Sequence, residues 1–158
     1  KRTAEIAKVL GCRVISFKRT PDPDFDCVSL DDVCRESDII SIHLPLTDET
    51  KQIIDSEKID LMKETAIVIN VARGGVVDEL ALADAIINKK IGGLGIDVYS
   101  KEPMAEDNPY QKIKDYPNVI LTPHMAWGAY EARVRCMEEI VENIQAFCEG
   151  KMRNRVDK

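Results

Sequence analysis

A chain of 158 residues, 44% of them hydrophobic, is long enough for one domain with a buried core. Its net charge of -6 argues against nucleic acid and anionic membrane as partners, since both demand clustered Lys and Arg, and the densest basic run, residues 151–158, reads as a solvated tail. Five cysteines (Cys12, Cys27, Cys34, Cys136, Cys148) form no C-x-x-C and no metal spacing with the two histidines, and no apolar run reaches the roughly 18 residues needed to span a membrane, so a cytoplasmic protein with reduced thiols is expected.

The first element is a short helix with Ile6, Val9 and Leu10 on one face, Thr3 as a possible cap and Gly11 at its end. A helix of barely two turns at the very start suggests a fragment of a longer chain. Residues 13–17 read as a strand. Residues 20–26 hold two prolines and three aspartates and read as loop. Ser29 opens a helix running to about Glu36. Residues 39–42 form a strand that Pro45 ends. Residues 56–62 form a short helix capped by Ser56. The apolar run over 66–69 reads as a strand buried on both faces. Asp78 caps a helix over 79–88. Strands follow at 94–98 and 119–121. A long amphipathic helix over 130–149 carries Val134, Met137, Ile140, Val141, Ile144 and Phe147 on one stripe, and Gly150 ends it.

Short apolar strands alternating with helices predict an α/β fold: a doubly wound parallel sheet with right-handed crossovers and helices on both faces. Such sheets bind ligands outside the carboxyl ends of their strands. The residues to inspect are therefore Lys18 and Arg19, then 43–46, 70–75, 97–103 and 122–124.

Three chemical features fall at those points. In Asn70-Val71-Ala72-Arg73-Gly74-Gly75, glycines let backbone approach a ligand and the arginine fork matches a carboxylate. Asp97 lies near the end of a strand, and Glu102 after it is restricted by Pro103. His124 follows the strand at 119–121. Singly, each has a plainer reading: a surface arginine in a turn, a loop carboxylate, an exposed histidine. Together they describe a proton donor, its carboxylate partner and a carboxylate-binding arginine. That is what hydride transfer to a 2-keto acid needs, provided a nicotinamide is present.

The stretch from Asp38 to His124 resembles the D-2-hydroxyacid dehydrogenase family. The matching pieces are Ser41-Ile42-His43-Leu44-Pro45-Leu46-Thr47 with Thr50, then Ile69 to Glu79 around Arg73, then Gly95-Ile96-Asp97-Val98-Tyr99 with Glu102-Pro103, and Asn118 to His124. The resemblance implies a Rossmann-like domain with Arg73, Glu102 and His124 as its catalytic set. Arg73 would bind the substrate carboxylate and carbonyl. His124 would exchange the proton and Glu102 would pair with it. Asp97 would lie near the nicotinamide amide. Leu44, Pro45 and Thr50 would line the adenosine side, Val71 and Ala72 would touch the cofactor through backbone, and His43 would be a cofactor-loop residue.

Two departures accompany it. The phosphate loop G-x-G-x-x-G is absent. In the family it precedes the opening helix, so that loop and the first strand are expected upstream, the sheet here is expected to lack a central member, and the intact protein is expected to be about twice this length. The acidic residue that usually follows the second strand is also missing. Lys18 and Arg19 stand there instead and favour NADP over NAD, with Asp22 or Asp24 as alternative ribose ligands. Trp127, in Pro123-His124-Met125-Ala126-Trp127, resembles the glycerate dehydrogenase and hydroxypyruvate reductase branch; its plainer reading is a packing residue before the long helix. Residues 1–127 would then be an incomplete nucleotide-binding domain, and 128–158 a helix and tail leading to the substrate domain. The resemblance implies a homodimer acting on a small 2-hydroxy or 2-keto acid. A non-enzymatic relative of the corepressor type is the alternative.

Overall fold

The computed structural model describes residues 1–20 and 22–156. Pro21 of the expected loop and Asp157 and Lys158 of the expected tail lie outside the described residues. The elements run α1 (Arg2–Val9), β1 (Ile15–Ser16), β2 (Asp26–Cys27), α2 (Leu30–Glu36), β3 (Ile39–Ile42), α3 (Ser56–Asp60), β4 (Ile67–Asn70), α4 (Glu79–Ile87), β5 (Gly93–Ile96), β6 (Val119–Leu121) and α5 (Tyr130–Cys148), with 3-10 turns at Gly74–Val76 and Pro109–Lys112. They fall into two compact units, Lys1–Pro123 and His124–Lys158.

In the first unit β3, β4, β5 and β6 pair in parallel, in chain order, as a four-stranded sheet. Register aligns Ile40, Val68, Leu94 and Val119 in one row, and Ile42, Asn70, Ile96 and Leu121 in the next. These rows meet Ile59 of α3, Leu82 and Ile86 of α4, and Tyr110 and Ile113 around the second 3-10 turn in one core. Ala-rich, Leu- and Ile-bearing α4 is started by Asp78, whose side chain accepts from Ala81 N at 3.0 Å.

The opposite face of the sheet differs from expectation. Ile39, Ile67 and Ile120 there keep 57%, 40% and 68% of their surface exposed, and Gly93 and Gly95 lie in register with Ile67 and Ile69. The strand at β4 is therefore not buried on both faces. The reason is topological. A sheet whose order follows the chain, joined by right-handed crossovers, sends every connection over the same face.

β1 and β2 pair in parallel as a separate two-stranded sheet, with Ile15 opposite Asp26 and Ser16 opposite Cys27. β2 falls where only loop was expected, and β1 is shorter than residues 13–17. Two local starts also differ. α3 is capped by Asp55, whose Oδ1 accepts from Lys58 N at 2.9 Å, while Ser56 is already helical. α1 has no side-chain cap, and Thr3 lies inside it. Gly11 and Gly150 adopt φ of +86° and +69°, the left-handed geometry that stops a helix.

The second unit is α5 with its flanking residues. None of its 19 residues is buried, and Phe147 on the apolar stripe is 85% exposed. The tail folds back through Arg153, which donates to Glu139 at 2.8 Å and to Glu142 at 2.5 Å. Among the described residues no helix is long and apolar enough to cross a membrane.

Candidate active site

The turn that follows β4 is built on Asn70. This side chain is fully buried, donates from Nδ2 to Arg73 O at 3.0 Å, and accepts from Ala72 N at 3.0 Å. It thereby supplies both partners that a peptide group would supply, and fixes the backbone that carries Arg73. The Arg73 side chain is exposed and donates to Ala72 O at 2.7 Å. Gly74 follows because nothing larger fits. A Cβ there would lie 1.9 Å from Tyr99 C and 2.3 Å from Ser100 N.

The loop after β5 thus lies directly against the arginine turn. Asp97 extends the strand, its N–H donating to Asn70 O at 3.0 Å. Its buried carboxylate accepts from Thr122 Oγ1 at 2.5 Å. Tyr99 donates its hydroxyl to Thr122 O at 2.9 Å, and its ring meets Tyr110 edge-on at 6.3 Å between centroids. Burial, then the Asp97, Glu102 and Glu79 charges, push the Tyr99 hydroxyl up from its ordinary value. Burial does the same to Tyr110, whose hydroxyl is enclosed with no hydrogen-bond partner among the described residues. Glu102 turns back on its own loop, Oε1 accepting from Tyr99 N at 3.1 Å, and its peptide bond to Pro103 is cis.

On the other side of Arg73 is a cavity of about 580 Å³ lined by His43, Leu44, Pro45, Leu46, Val71, Ala72 and Arg73. The loop after β3 and the turn after β4 therefore form one surface. Thr50 shapes the first of these, donating Oγ1 to Pro45 O at 2.6 Å and accepting from Thr47 N at 2.8 Å. A smaller cavity of about 260 Å³ is lined by Ser56, Asp60, Asp78, Leu80 and neighbours, and contains none of the expected site residues.

Lys18 and Arg19 part company after β1. Lys18 Nζ lies 2.7 Å from Asp22 Oδ2 and 5.4 Å from the centre of the Phe25 ring. The Lys18 ammonium, helped by Asp24 N–H, holds the Asp22 carboxyl down at about 2. Arg19 is 85% exposed and reaches Glu49, itself 74% exposed, at 3.6 Å.

His124 opens the second unit, three residues after β6, in left-handed backbone with φ of +54°. Its carbonyl accepts from Trp127 Nε1 at 2.7 Å, so the 62% exposed indole braces this turn ahead of α5.

Within the first unit the structure thus brings Arg73 together with the Asp97–Glu102 loop, and Leu44 and Pro45 together with Val71 and Ala72. Lys18 and Arg19 follow β1, where Lys18 turns to Asp22 and Arg19 reaches Glu49 in the loop after β3. Sequence reasoning missed Asn70 as the organiser of the arginine turn. It also missed Glu79, which is 8% exposed and accepts from Ser100 N, Ser100 Oγ and Asn108 Nδ2 at 2.7, 2.7 and 2.9 Å. A polar side chain ending an apolar strand was the available signal for Asn70. Glu79 offered none, because a glutamate in a first helical turn is ordinarily a solvated dipole partner.

Residues 1–126 match the family described as D-isomer specific 2-hydroxyacid dehydrogenase, NAD binding domain. The chain is 41% identical over 157 residues to a glycerate dehydrogenase of Methylorubrum extorquens, covering 99% of this chain and 49% of that protein. It is 41% identical to a glyoxylate reductase of Aeropyrum pernix, with 96% and 46% covered. The solved structure of D-lactate dehydrogenase with NAD+ from Lactobacillus jensenii superposes with a TM-score of 0.90 at 29% identity, covering 99% of this chain and 52% of that one. The chain spans about half the length of the curated relatives it matches. The fold, the strand-end loops and the sequence agree that the chain belongs to the D-isomer specific 2-hydroxyacid dehydrogenases, through their NAD-binding domain.

Proposed function

We propose that this chain is the nucleotide-binding part of a dehydrogenase that moves a hydride between a nicotinamide cofactor and C2 of a small D-2-hydroxy or 2-keto acid, with glycerate and hydroxypyruvate as the first substrates to test. The observation that carries the reading is the contact between two strand-end loops. The Arg73 turn and the Glu102 loop touch through Gly74, beside a cavity lined by Leu44, Pro45, Val71 and Ala72.

The residues present fit a nicotinamide nucleotide in part. The cavity offers apolar side chains and turn backbone, as a nucleoside needs, whereas the sequence holds no G-x-G-x-x-G phosphate cradle. Leu44, Pro45 and Thr50 would line the adenosine side, Val71 and Ala72 would touch the cofactor through backbone, and Asp97 would lie near the nicotinamide amide. When bound, the cofactor supplies the hydride in reduction and accepts it in oxidation.

The chain's own residues do the rest. Arg73 presents a planar fork to the substrate carboxylate and orients its carbonyl. His124 gives a proton to the carbonyl oxygen in reduction and takes it from the hydroxyl in oxidation. Glu102 pairs with His124 and favours its role as proton donor. Trp127 bounds the substrate side, in the manner of the glycerate and hydroxypyruvate branch. Residues 128–158 lead to the substrate domain of a cytoplasmic homodimer.

Arg19 carries the lean toward NADP, because its guanidinium is exposed while the Lys18 charge is already met by Asp22. Comparing kcat/KM for NADH and NADPH decides this, and a strong NADH preference refutes it.

The activity itself is tested with full-length protein, NAD(P)H and a panel of hydroxypyruvate, glyoxylate and pyruvate. Turnover is expected, with a loss of about a hundredfold or more in kcat for His124→Asn. Absence of turnover across the panel, or an undiminished His124→Asn variant, would overturn the reading in favour of a nucleotide-binding, non-enzymatic relative.

A further inference from the structure

Glu79 is a buried carboxylate whose three hydrogen bonds come from neutral donors: Ser100 N, Ser100 Oγ and Asn108 Nδ2. Burying a carboxylate costs more than burying an amide or an apolar side chain of the same size. Stability alone is a poor reason to place one here. What it does accomplish is geometric. The adjacent N–H groups of Tyr99 and Ser100 are taken by two different carboxylates, Glu102 Oε1 and Glu79 Oε1. From a third side, Gly74 presses its backbone onto the same peptide. Arg73, Gly74 and Glu79 belong to one short segment, so a single piece of chain holds the arginine and grips the loop bearing Glu102. Glu79 acts on the hydroxyls of Tyr99 and Tyr110; Asp97 and Glu102 also act on Tyr99, and Asp78 on Tyr110.

We infer that Glu79 is a positioning residue of the reaction: clamped on Ser100 and Asn108, it fixes the loop of Glu102 at a set distance from the Arg73 turn. The inference rests on the roles proposed above for Arg73, Glu102 and His124.

The test uses full-length protein, hydroxypyruvate and NAD(P)H, with Glu79→Gln, Glu102→Gln, the double variant and Ser100→Ala. Glutamine at 79 keeps shape but presents an NH2 where an acceptor is needed, so at least one of the three bonds is lost. A misplacement of about 1 Å is worth about a hundredfold in rate, so Glu79→Gln is expected to lose between about tenfold and a hundredfold in kcat with little change in KM. Keto-acid reduction declines toward alkaline pH as the proton donor deprotonates, and a neighbouring carboxylate favours the protonated donor. Both single glutamine variants are therefore expected to bring that decline to lower pH, and the double variant to be no slower than Glu102→Gln. If Glu102→Gln shifts the profile while Glu79→Gln changes only the melting temperature, or if the two losses multiply, the clamp is overturned and the catalytic reading stands. If Glu102→Gln itself leaves the profile unmoved, the catalytic reading fails and the clamp with it. Should Glu79→Gln not fold, Ser100→Ala decides: it removes only the hydroxyl bond, and a wild-type profile in it overturns the clamp.

Discussion

A methyl group at position 74 would stand 1.9 Å from the carbonyl carbon of Tyr99. No rotamer change relieves a clash with backbone, so Gly74→Ala is expected to exceed the usual overpacking cost of about 1–3 kcal/mol, as thermal denaturation would show. Arg73→Lys poses a subtler question. The ammonium keeps the charge but loses the fork, and a drop in kcat/KM worth about 2 kcal/mol is expected, read from steady-state rates. At Asp22 the sign of the pH effect follows from its environment. The Lys18 ammonium lowers its pKa from 3.8 to about 2 in the folded protein. A depressed carboxyl contributes stability above its unfolded pKa and loses it as pH falls from about 4 to about 2. Asp22→Asn is expected to flatten the acid limb of a denaturation series over that window. Burial pushes the Cys34 thiol up to about 11, so a thiol reagent at neutral pH is expected to label exposed Cys12, Cys136 and Cys148 and spare Cys34 until the protein unfolds.

Among the elements, those with the strongest local signals were legible. β3 and β6 have the bounds their apolar runs indicate, and α4 starts at the Asp78 cap and ends one residue short of its expected bound. Where two cap residues adjoin, as at Asp55 and Ser56, only the tertiary path decides which one stays extended. β2 was illegible because its aspartate and cysteine owe their strand geometry to β1, not to propensity. The same division holds at the site. The placement of Arg73 and Glu102 after strands and of Asp97 at a strand's end was readable, since strand ends are legible in sequence. Glu79 did not, because Ser100 and Asn108 lie 21 and 29 residues away and meet it only through the fold. Leu82 on α4 is fully buried against the sheet. Leu82→Ala is expected to cost about 2–5 kcal/mol by denaturant titration, against about 1 kcal/mol for Asp78→Ala at the cap.

At the scale of the molecule, the open face bearing Ile39, Ile67 and Ile120 and the apolar stripe of α5 leave large hydrophobic side chains in water. The 158-residue chain by itself is therefore expected to bind a dye such as ANS and to self-associate, as sedimentation would show; a monodisperse monomer that ignores the dye would contradict this. Asn70 carries a consequence of a different kind. Its amide is held at zero exposure between one N–H and one carbonyl. Deamidation to aspartate would leave the shape of the side chain intact while facing the Arg73 carbonyl with an acceptor and adding a buried charge. A change invisible in the outline of the protein would thus loosen the arginine turn, and Asn70→Asp is expected to lower the melting temperature well beyond what an exposed Asn→Asp does.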